Sequence, residues 1–295
     1  MDKKTVNKIL KLQQKFAPAY FLAPALILFG TFVLWPIFQS IFISFHQWDG
    51  FGPMNFVGLK NYRTMIVDPR FLKSILNNVY WLVLMMLAPI IGLSLALFLN
   101  QEMKGMRVLK SLFFFPFVIN LVVVGLVFSW FYNPELGLLA EIFKIFGLKP
   151  IPILANENLA TFGIIAAGLW PQIAYCMILY LTGLAGVNVQ MVEAGKIDGA
   201  YGFKMLRHII LPQLKPATIV ALTVTVIGSL RSFDLIATMT AGGPWGSSYV
   251  LAYHMYDEAI FNFKMGYGAA LAVILFLIMS VFIFIFLRKM IDTES

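Results

Sequence analysis

A short polar segment with two carboxylates, Glu193 and Asp198, lies between two long apolar runs of the sequence. Residues 187–197 contain no helix breaker other than one glycine, so they predict a helix that ends in a glycine-rich turn. Apolar residues at helical spacing predict a second short helix after the turn, which ends near Pro212. Such carboxylates can pair with basic side chains of a partner; the alternative is that they are solvated acids of a loop.

A second group of polar residues falls within a later apolar run. Arg231 and Asp234 lie there, where either charge would cost roughly 2.5–3.5 kcal/mol if it faced lipid. We therefore expect both to face the interior of a helix bundle, as part of a pathway or as an ion pair three residues apart on one helix. An earlier apolar run contains Trp170 and Tyr175, which are pathway residues or packing aromatics. The candidate pathway residues, which together offer hydroxyl, amide, charged and aromatic groups, are Trp170, Gln172, Tyr175, Ser229, Arg231, Ser232 and Asp234.

The remaining reactive side chains argue against enzymatic chemistry. The chain has no glycine-rich phosphate loop, so we do not expect it to bind ATP itself. Its three histidines are far apart in sequence, and no His or Cys cluster has the spacing of metal ligands. Cys176, the one cysteine, lies in an apolar run and is expected to be a packing residue. We therefore predict no catalytic residues, no metal site and no cofactor in this chain.

Membrane helices must position these residues. Of the 295 residues, 60% are hydrophobic and 12% are charged, and the mean hydropathy is +0.83, which is far more apolar than a soluble domain. A helix that crosses roughly 30 Å of hydrocarbon needs about 20 apolar residues. The predicted fold class is therefore an all-α membrane protein, with six transmembrane helices at residues 21–45, 75–99, 112–132, 159–185, 217–239 and 267–287.

The distribution of Lys and Arg predicts the orientation. If the N-terminus is cytoplasmic, 14 of the 22 Lys and Arg residues lie inside, seven lie outside and Arg231 lies within a span. This excess predicts that both termini face the cytoplasm, and it accounts for the net charge of +8 without a nucleic-acid partner. The predicted organisation is a basic arm at 1–19, a six-helix domain at 20–290 that includes a cytoplasmic segment at 187–216, and a tail at 291–295. The lysines of the arm either set the orientation or belong to an amphipathic helix on anionic lipid.

The polar segment reads Glu193-Ala194-Gly195, Asp198-Gly199-Ala200, Phe203 and Ile209-x-Leu211-Pro212-x-Leu214-x-Pro216. This pattern resembles the "EAA" signature of permease subunits of binding-protein-dependent ABC importers. The one departure is Gly195, where the family usually has alanine; glycine loosens the helix by up to about 1 kcal/mol without altering charge. The runs Thr240-Ala241-Gly242-Gly243-Pro244 and Phe56-Val57-Gly58-Leu59-Lys60-Asn61-Tyr62 are similar to segments of the carbohydrate-uptake branch, and the similarity extends from about Tyr20 to Met290.

This resemblance implies a bacterial inner-membrane subunit of an ATP-driven importer for a sugar, oligosaccharide or polyol. In the family, residues equivalent to 187–216, here called the coupling bracket, fit a cleft on a cytoplasmic ATPase. The resemblance therefore gives coupling roles to Glu193, Ala194, Gly195, Asp198, Gly199, Ala200, Phe203, Leu211 and Pro212. It also implies a second permease subunit, two ATPase subunits that bind ATP and Mg, and an extracytoplasmic solute-binding protein. A stand-alone secondary transporter and a non-transporting scaffold are the two other classes that the residues leave open.

Overall fold

The computed structural model describes residues 19–101 and 104–294. The basic arm predicted at 1–19 therefore lies outside the described residues, apart from Ala19. Most of the described chain is helical, as predicted. One short antiparallel hairpin is present, formed by β1 (His46–Gln47) and β2 (Asn55–Phe56).

The helices are named here in chain order. They are α1 Ala19–Ser44, α2 Lys60–Val67, α3 Pro69–Met85, α4 Leu87–Leu99, α5 Met106–Val118, α6 Leu121–Phe131, α7 Leu138–Ile145, α8 Ala160–Ala185, α9 Val189–Ile197, α10 Phe203–Gln213, α11 Lys215–Leu230, α12 Asp234–Met239, α13 Leu251–Tyr256 and α14 Met265–Glu294. Wider π-helical turns occur within α1 (Gly30–Leu34), within α10 (Leu206–Ile210) and directly after α13 (Asp257–Phe261).

Four stretches of helix in the described chain are long and apolar enough to cross a membrane. They are α1, the run Pro69–Leu99 made by α3 and α4, α8, and α14 as far as Phe286. Two bent pairs, α5 with α6 and α10 with α11, raise the number to six if each pair is one span. Helix α14 also continues through most of the tail predicted at 291–295, because it ends only at Glu294.

The span predicted at 112–132 is not one straight helix. Helices α5 and α6 meet at 97° around Ile119 and Asn120. Ile119 is extended, with ψ of 133°, and the Asn120 side chain accepts a hydrogen bond of 2.8 Å from the backbone N–H of Val122. Asn120 is therefore the N-cap of α6, and a cap of this kind begins a new helix instead of continuing the old one.

The span predicted at 217–239 is also broken. Helix α11 ends at Leu230, residues 231–233 are not helical, and α12 begins at Asp234. Arg231 and Asp234 therefore do not lie one turn apart on a continuous helix. Within the described part of the chain no ion pair joins them, so the structural pair considered from the sequence is absent.

Small residues let the central helices approach closely. A Cβ atom at Gly92 of α4 would come within 2.7 Å of the Cβ of Cys176 on α8. Cys176 is fully buried, which fits its predicted packing role. Residues 46–70 and 240–267 lie together at one end of the bundle, called here the hairpin end. There the Asn61 Nδ2 atom donates hydrogen bonds of 2.8 and 2.9 Å to the carbonyls of Ser44 and His46.

Candidate functional site

A cavity of about 580 Å³ lies between helices α5, α8 and α11. Its wall includes six of the seven residues that the sequence predicted for a pathway, namely Gln172, Tyr175, Ser229, Arg231, Ser232 and Asp234. Besides the predicted Tyr175, the wall contains three aromatic residues that the sequence did not single out, Trp81, Phe117 and Phe233. A concave site with apolar walls and a few polar groups has the general character of a small-molecule site.

Two of the predicted wall residues on α8 have partners within the protein. Gln172 donates a hydrogen bond of 2.9 Å from Nε2 to the Thr225 hydroxyl on α11, so it links two helices as well as lining the cavity. The ring of Tyr175 stacks on Phe117 of α5, with a centroid distance of 4.9 Å. Trp170 does not line the cavity; its ring lies 5.8 Å from that of Phe128 on α6, as a packing aromatic would.

Unlike Gln172 and Tyr175, the charged residues of the wall are exposed. Arg231 and Asp234 are both exposed, and Arg231 directly follows the last helical residue of α11. Ser229 is buried and donates to the Thr225 carbonyl at 2.6 Å, whereas Ser232 donates to the Gly228 carbonyl at 3.2 Å. The cavity therefore presents one cationic and one anionic group that are not consumed by pairing with each other.

The coupling bracket consists of α9, a turn and α10. Asn188 caps α9, since its side chain accepts hydrogen bonds from the backbone N–H groups of Gln190 and Met191. The turn uses Gly199 and Gly202 at φ of +77° and +53°, a region that other residues rarely adopt. Helix α10 continues to Gln213, one residue beyond the predicted stop at Pro212, because its π-helical turn precedes the proline.

The outward surface of the bracket combines acidic and apolar groups. Glu193, Ala194, Asp198 and Gly199 are exposed, and among the described side chains no cation pairs with either carboxylate. The apolar side chains beside them are unusually open, with exposed fractions of 87% for Ile197, 67% for Tyr201 and 70% for Phe203. Of the other predicted bracket residues, Pro212 is exposed, and Ala200 and Leu211 are half-buried.

Gly195 is the one buried residue of α9. A Cβ atom there would collide with the Cδ1 atom of Ile209 on α10 and would lie 3.4 Å from the Met205 methyl group. The glycine therefore lets the two helices of the bracket touch. This close approach is a physical reason for the departure from alanine that the sequence could not reveal.

The sequence missed a buried charge cluster at the hairpin end. Glu258 is only 1% exposed, and its carboxylate lies 3.2 Å from the Arg70 guanidinium and 3.0 Å from the Lys264 ammonium. Asp68 accepts a hydrogen bond of 2.7 Å from the Tyr267 hydroxyl. Asp68 is the N-cap of α3 and directly precedes Pro69, a pattern that gave a local signal in the sequence.

His254 is fully buried beside this cluster. Burial lowers the pKa of His254, an effect that outweighs the opposing influence of the Asp68 carboxylate. The imidazole is therefore neutral near neutral pH, and its 3.7 Å approach to Asp68 is not an ion pair there. Burial alone would raise the pKa of Asp68, but the Tyr267 hydroxyl, the Arg70 backbone N–H and nearby positive charge together lower it.

Comparison with known proteins gives consistent matches over most of the chain. The family model described as "Binding-protein-dependent transport system inner membrane component" matches residues 88–294. A probable ABC transporter permease protein of Pyrococcus horikoshii is 36% identical over 263 residues, or 87% of this chain and 89% of that protein. The trehalose/maltose transport system permease protein MalF of Thermococcus litoralis is 32% identical over 293 residues, or 98% of each chain.

A solved structure shares the fold. It is a bacterial alginate ABC transporter in complex with an alginate pentasaccharide-bound periplasmic protein. The match has a TM-score of 0.81 and 19% identity, and it covers 94% of each chain. At this level of identity the likeness concerns the arrangement of helices.

Proposed function

This chain belongs to the family of inner-membrane components of binding-protein-dependent transport systems, and on this premise we propose that it forms half of the pathway of an ATP-driven saccharide or polyol importer. Membership makes it a multi-pass protein of the bacterial inner membrane and a transporter subunit rather than an enzyme. The observation that carries the proposal is the coupling bracket, a rigid two-helix element whose acidic and apolar groups are left open.

The bracket is proposed to transmit the motion of a cytoplasmic ATPase to the membrane helices. Its two short helices pack through Gly195, and Gln213 accepts a hydrogen bond of 2.8 Å from the backbone N–H of Asn188, which ties its two ends together. Because these contacts join the two helices of the bracket, a displacement of one helix also displaces the other. Glu193 would pair with a basic residue of the ATPase, and Ile197 and Phe203 would fill its apolar contact surface.

The proposed topology has six spans with both termini in the cytoplasm. The bent pair α5 and α6 would serve as the third span. Helix α11, followed by α12, would serve as the fifth, and α10 would stay outside the membrane as part of the bracket. This arrangement places the bracket on the side with the excess of Lys and Arg. The hairpin end then faces outward.

The proposed cargo is a sugar, oligosaccharide or polyol. The cavity supports this because aromatic faces, an amide and two unpaired charges line one concave wall. The trehalose/maltose permease to which the chain is similar makes the same class of substrate reasonable here. The cavity wall comes from α3, the α5–α6 bend, α8 and residues 224–235 of this chain. Six spans would supply only half of the bundle, so a second, similar permease would supply the other half.

The remaining partners are a solute-binding protein and two ATPase subunits, proposed from the exposed residues of this chain and from its similarity to the family. A solute-binding protein would dock at the outer face, where Trp245 is 93% exposed on the loop between α12 and α13. Tryptophan is enriched at the centres of protein interfaces. ATP and Mg would be bound by two ATPase subunits, since this chain has no phosphate loop.

Reconstitution tests the proposal. The chain is placed in proteoliposomes with candidate second permease, ATPase and binding-protein subunits from the same organism. The binding protein is first screened against a panel of saccharides. We expect ATP-dependent uptake of the saccharide that binds, and no uptake when any one component is left out. Uptake that proceeds without the ATPase subunits would contradict the proposal.

A further inference from the structure

Two neighbouring amides of α3, Asn77 and Asn78, are almost completely buried, with exposed fractions of 1% and 4%. Asn78 accepts a hydrogen bond of 2.9 Å from the backbone N–H of Leu251, and its Nδ2 atom lies 3.4 Å from the Leu230 carbonyl. It therefore contacts the last residue of α11 and the first residue of α13. These two residues bound the intervening segment 231–250, so one side chain holds both ends of that segment.

Asn77 holds the same segment from inside. Its Nδ2 atom donates to the carbonyls of Ser247 and Tyr249 at 2.6 and 2.7 Å. The Thr161 hydroxyl of α8 adds a bond of 3.2 Å to the Ser247 carbonyl and approaches Asn77 Oδ1 at 3.4 Å. A buried amide that satisfies several backbone groups fixes their relative positions, because every alternative leaves polar groups unpaired.

Segment 231–250 is also braced internally. The Ser248 hydroxyl donates to the Gly243 carbonyl at 2.6 Å and lies 2.8 Å from the Thr240 hydroxyl. Gly242 lies directly against the Tyr249 ring, so that a Cβ atom there would collide with it. With its ends held by Asn78 and its interior bonded in this way, the segment has the character of a single rigid piece.

The two extremities of this piece lie in different places. Arg231, Ser232 and Asp234 line the cavity, whereas Trp245 projects from the hairpin end with 93% of its surface exposed. We propose that Asn77 and Asn78, here called the clasp, are positioning residues for the pathway. Their hydrogen bonds hold segment 231–250 in one conformation, so that the cavity wall and the outer Trp245 move together. This inference relies on the proposed function only for the statement that the cavity is the pathway.

The clasp can be tested by a distance measurement that does not need the cargo. Spin labels are attached at Ser232→Cys and Trp245→Cys in a Cys176→Ser background, in the assembled complex in lipid nanodiscs. Double electron–electron resonance then gives the distribution of distances between the labels. We expect a narrow distribution with the clasp intact and a distribution about twofold broader with Asn77→Leu, because the segment loses its two shortest ties.

Asn61→Leu is the matched control. Asn61 also donates from one amide to two backbone carbonyls at the hairpin end, but it holds Ser44 and His46 instead of segment 231–250. Its replacement should leave the distribution narrow. If Asn77→Leu does not assemble, Thr161→Val removes one tie to Ser247 and should give a smaller broadening.

Two results would overturn the inference. One is a distribution that stays narrow in the assembled Asn77→Leu or Thr161→Val complex. The other is equal broadening in Asn61→Leu, which would show general loosening of the hairpin end. A merely structural role would lower the melting temperature in both amide variants and leave the distance between positions 232 and 245 unchanged. Because no uptake is measured, failure of the clasp is distinguishable from failure of the proposed function.

Discussion

The two ends of the bundle use polar residues in opposite ways. Asn77 and Asn78 of α3 are buried and bonded to backbone groups of or next to the hairpin end, where the buried Glu258 carboxylate also lies between two cations. At the coupling bracket, Glu193 and Asp198 are exposed and form no ion pair with any side chain that the structure describes. The number of polar residues in a region therefore does not show whether they stabilise the fold or contact another molecule.

The two ends should therefore respond differently to mutation. A buried polar group is costly unless it is bonded, and the hydrogen bonds of Asn77 and Asn78 and the ion pairs of Glu258 are all made within the chain's own fold. The exposed carboxylates of the bracket keep their hydration, so they cost the fold little free energy, and no described ion pair gives them a role in stabilising it. Exposed Ile197 and Phe203 beside them strengthen the same conclusion, because clustered apolar groups at a surface mark a contact with another molecule.

The largest expected effect is that of Glu193→Lys. The variant should reach the membrane in normal amounts, because Glu193 is exposed, yet uptake and substrate-stimulated ATP hydrolysis should fall by about tenfold or more, equivalent to at least 1.4 kcal/mol. Both rates are measured in the reconstituted complex. Glu141→Lys, at an exposed acid of α7 far from the bracket in sequence, is the control and should retain activity. Normal rates in Glu193→Lys would show that the carboxylate has no coupling role.

The next largest effect concerns the cavity between the two ends. Arg231→Ala should lower uptake per assembled complex by about threefold to tenfold, which corresponds to roughly 0.7–1.4 kcal/mol. Assembly should be unaffected, since Arg231 is exposed and has no ion pair with Asp234 to lose. Quantitative uptake with immunoblots of purified complex separates the two quantities. Loss of complex with normal activity in the remainder would make Arg231 a structural residue.

Acid should weaken the hairpin end more than the bracket. The pKa of His254 is lowered in the folded state by burial, so below its ordinary value the unfolded state binds more protons. The contribution of His254 to the free energy of unfolding is thus fully present above its pKa in the unfolded state. It is lost as the pH falls through its pKa in the folded state. The melting temperature should drop as the pH is lowered below about 6.5, the ordinary pKa of histidine, and the drop should be smaller in His254→Gln.

His208→Gln provides the matched control for this pH effect. His208 is exposed on the bracket, where its Nδ1 atom lies 3.1 Å from the Lys204 carbonyl. Its replacement should leave the full acid-dependent drop in place. An equal drop in the parent and in His254→Gln would assign the acid sensitivity to other groups.

The smallest effect is expected at Gly195. Alanine favours the helix by about 1 kcal/mol, but its Cβ atom would displace Ile209 and separate the two helices of the bracket. We expect Gly195→Ala to slow uptake by less than about twofold, and Ile209→Val in the same chain to restore the rate because it removes the colliding methyl group. Identical uptake rates in Gly195→Ala and in the double variant with Ile209→Val would show that the contact with Ile209 does not affect transport.

The sequence predicted those features that depend on local pattern. Long apolar runs predicted the bounds of α1 and α8 to within two residues, whereas α3 and α5 each begin six residues before the predicted span. Gly199 and Gly202, which have positive φ, marked the turn of the bracket. The six cavity residues on α8 and α11–α12 were also predictable, because polar groups within apolar runs must turn away from lipid. Trp170 did not follow this rule, since an aromatic ring is equally suited to packing.

The remaining features depend on contacts that a hydropathy window does not sense. Asn120 ends one helix and caps the next, although a single amide changes the average hydropathy very little. The non-helical residues 231–233 contain no glycine or proline to signal the break. Asn77 finds its backbone partners 170 and 172 residues away in the sequence, so no local pattern could indicate the clasp.

In the proposed arrangement, the coupling bracket contacts an ATPase and the hairpin end contacts a binding protein. A photo-reactive amino acid at position 197 or at position 245 tests it directly, because both side chains are open in the structure, at 87% and 93%. In intact membranes with all subunits present, we expect position 197 to crosslink to the ATPase subunit and position 245 to the binding protein. Crosslinks to the opposite partners, or crosslinks from both positions to the same partner, would contradict this account.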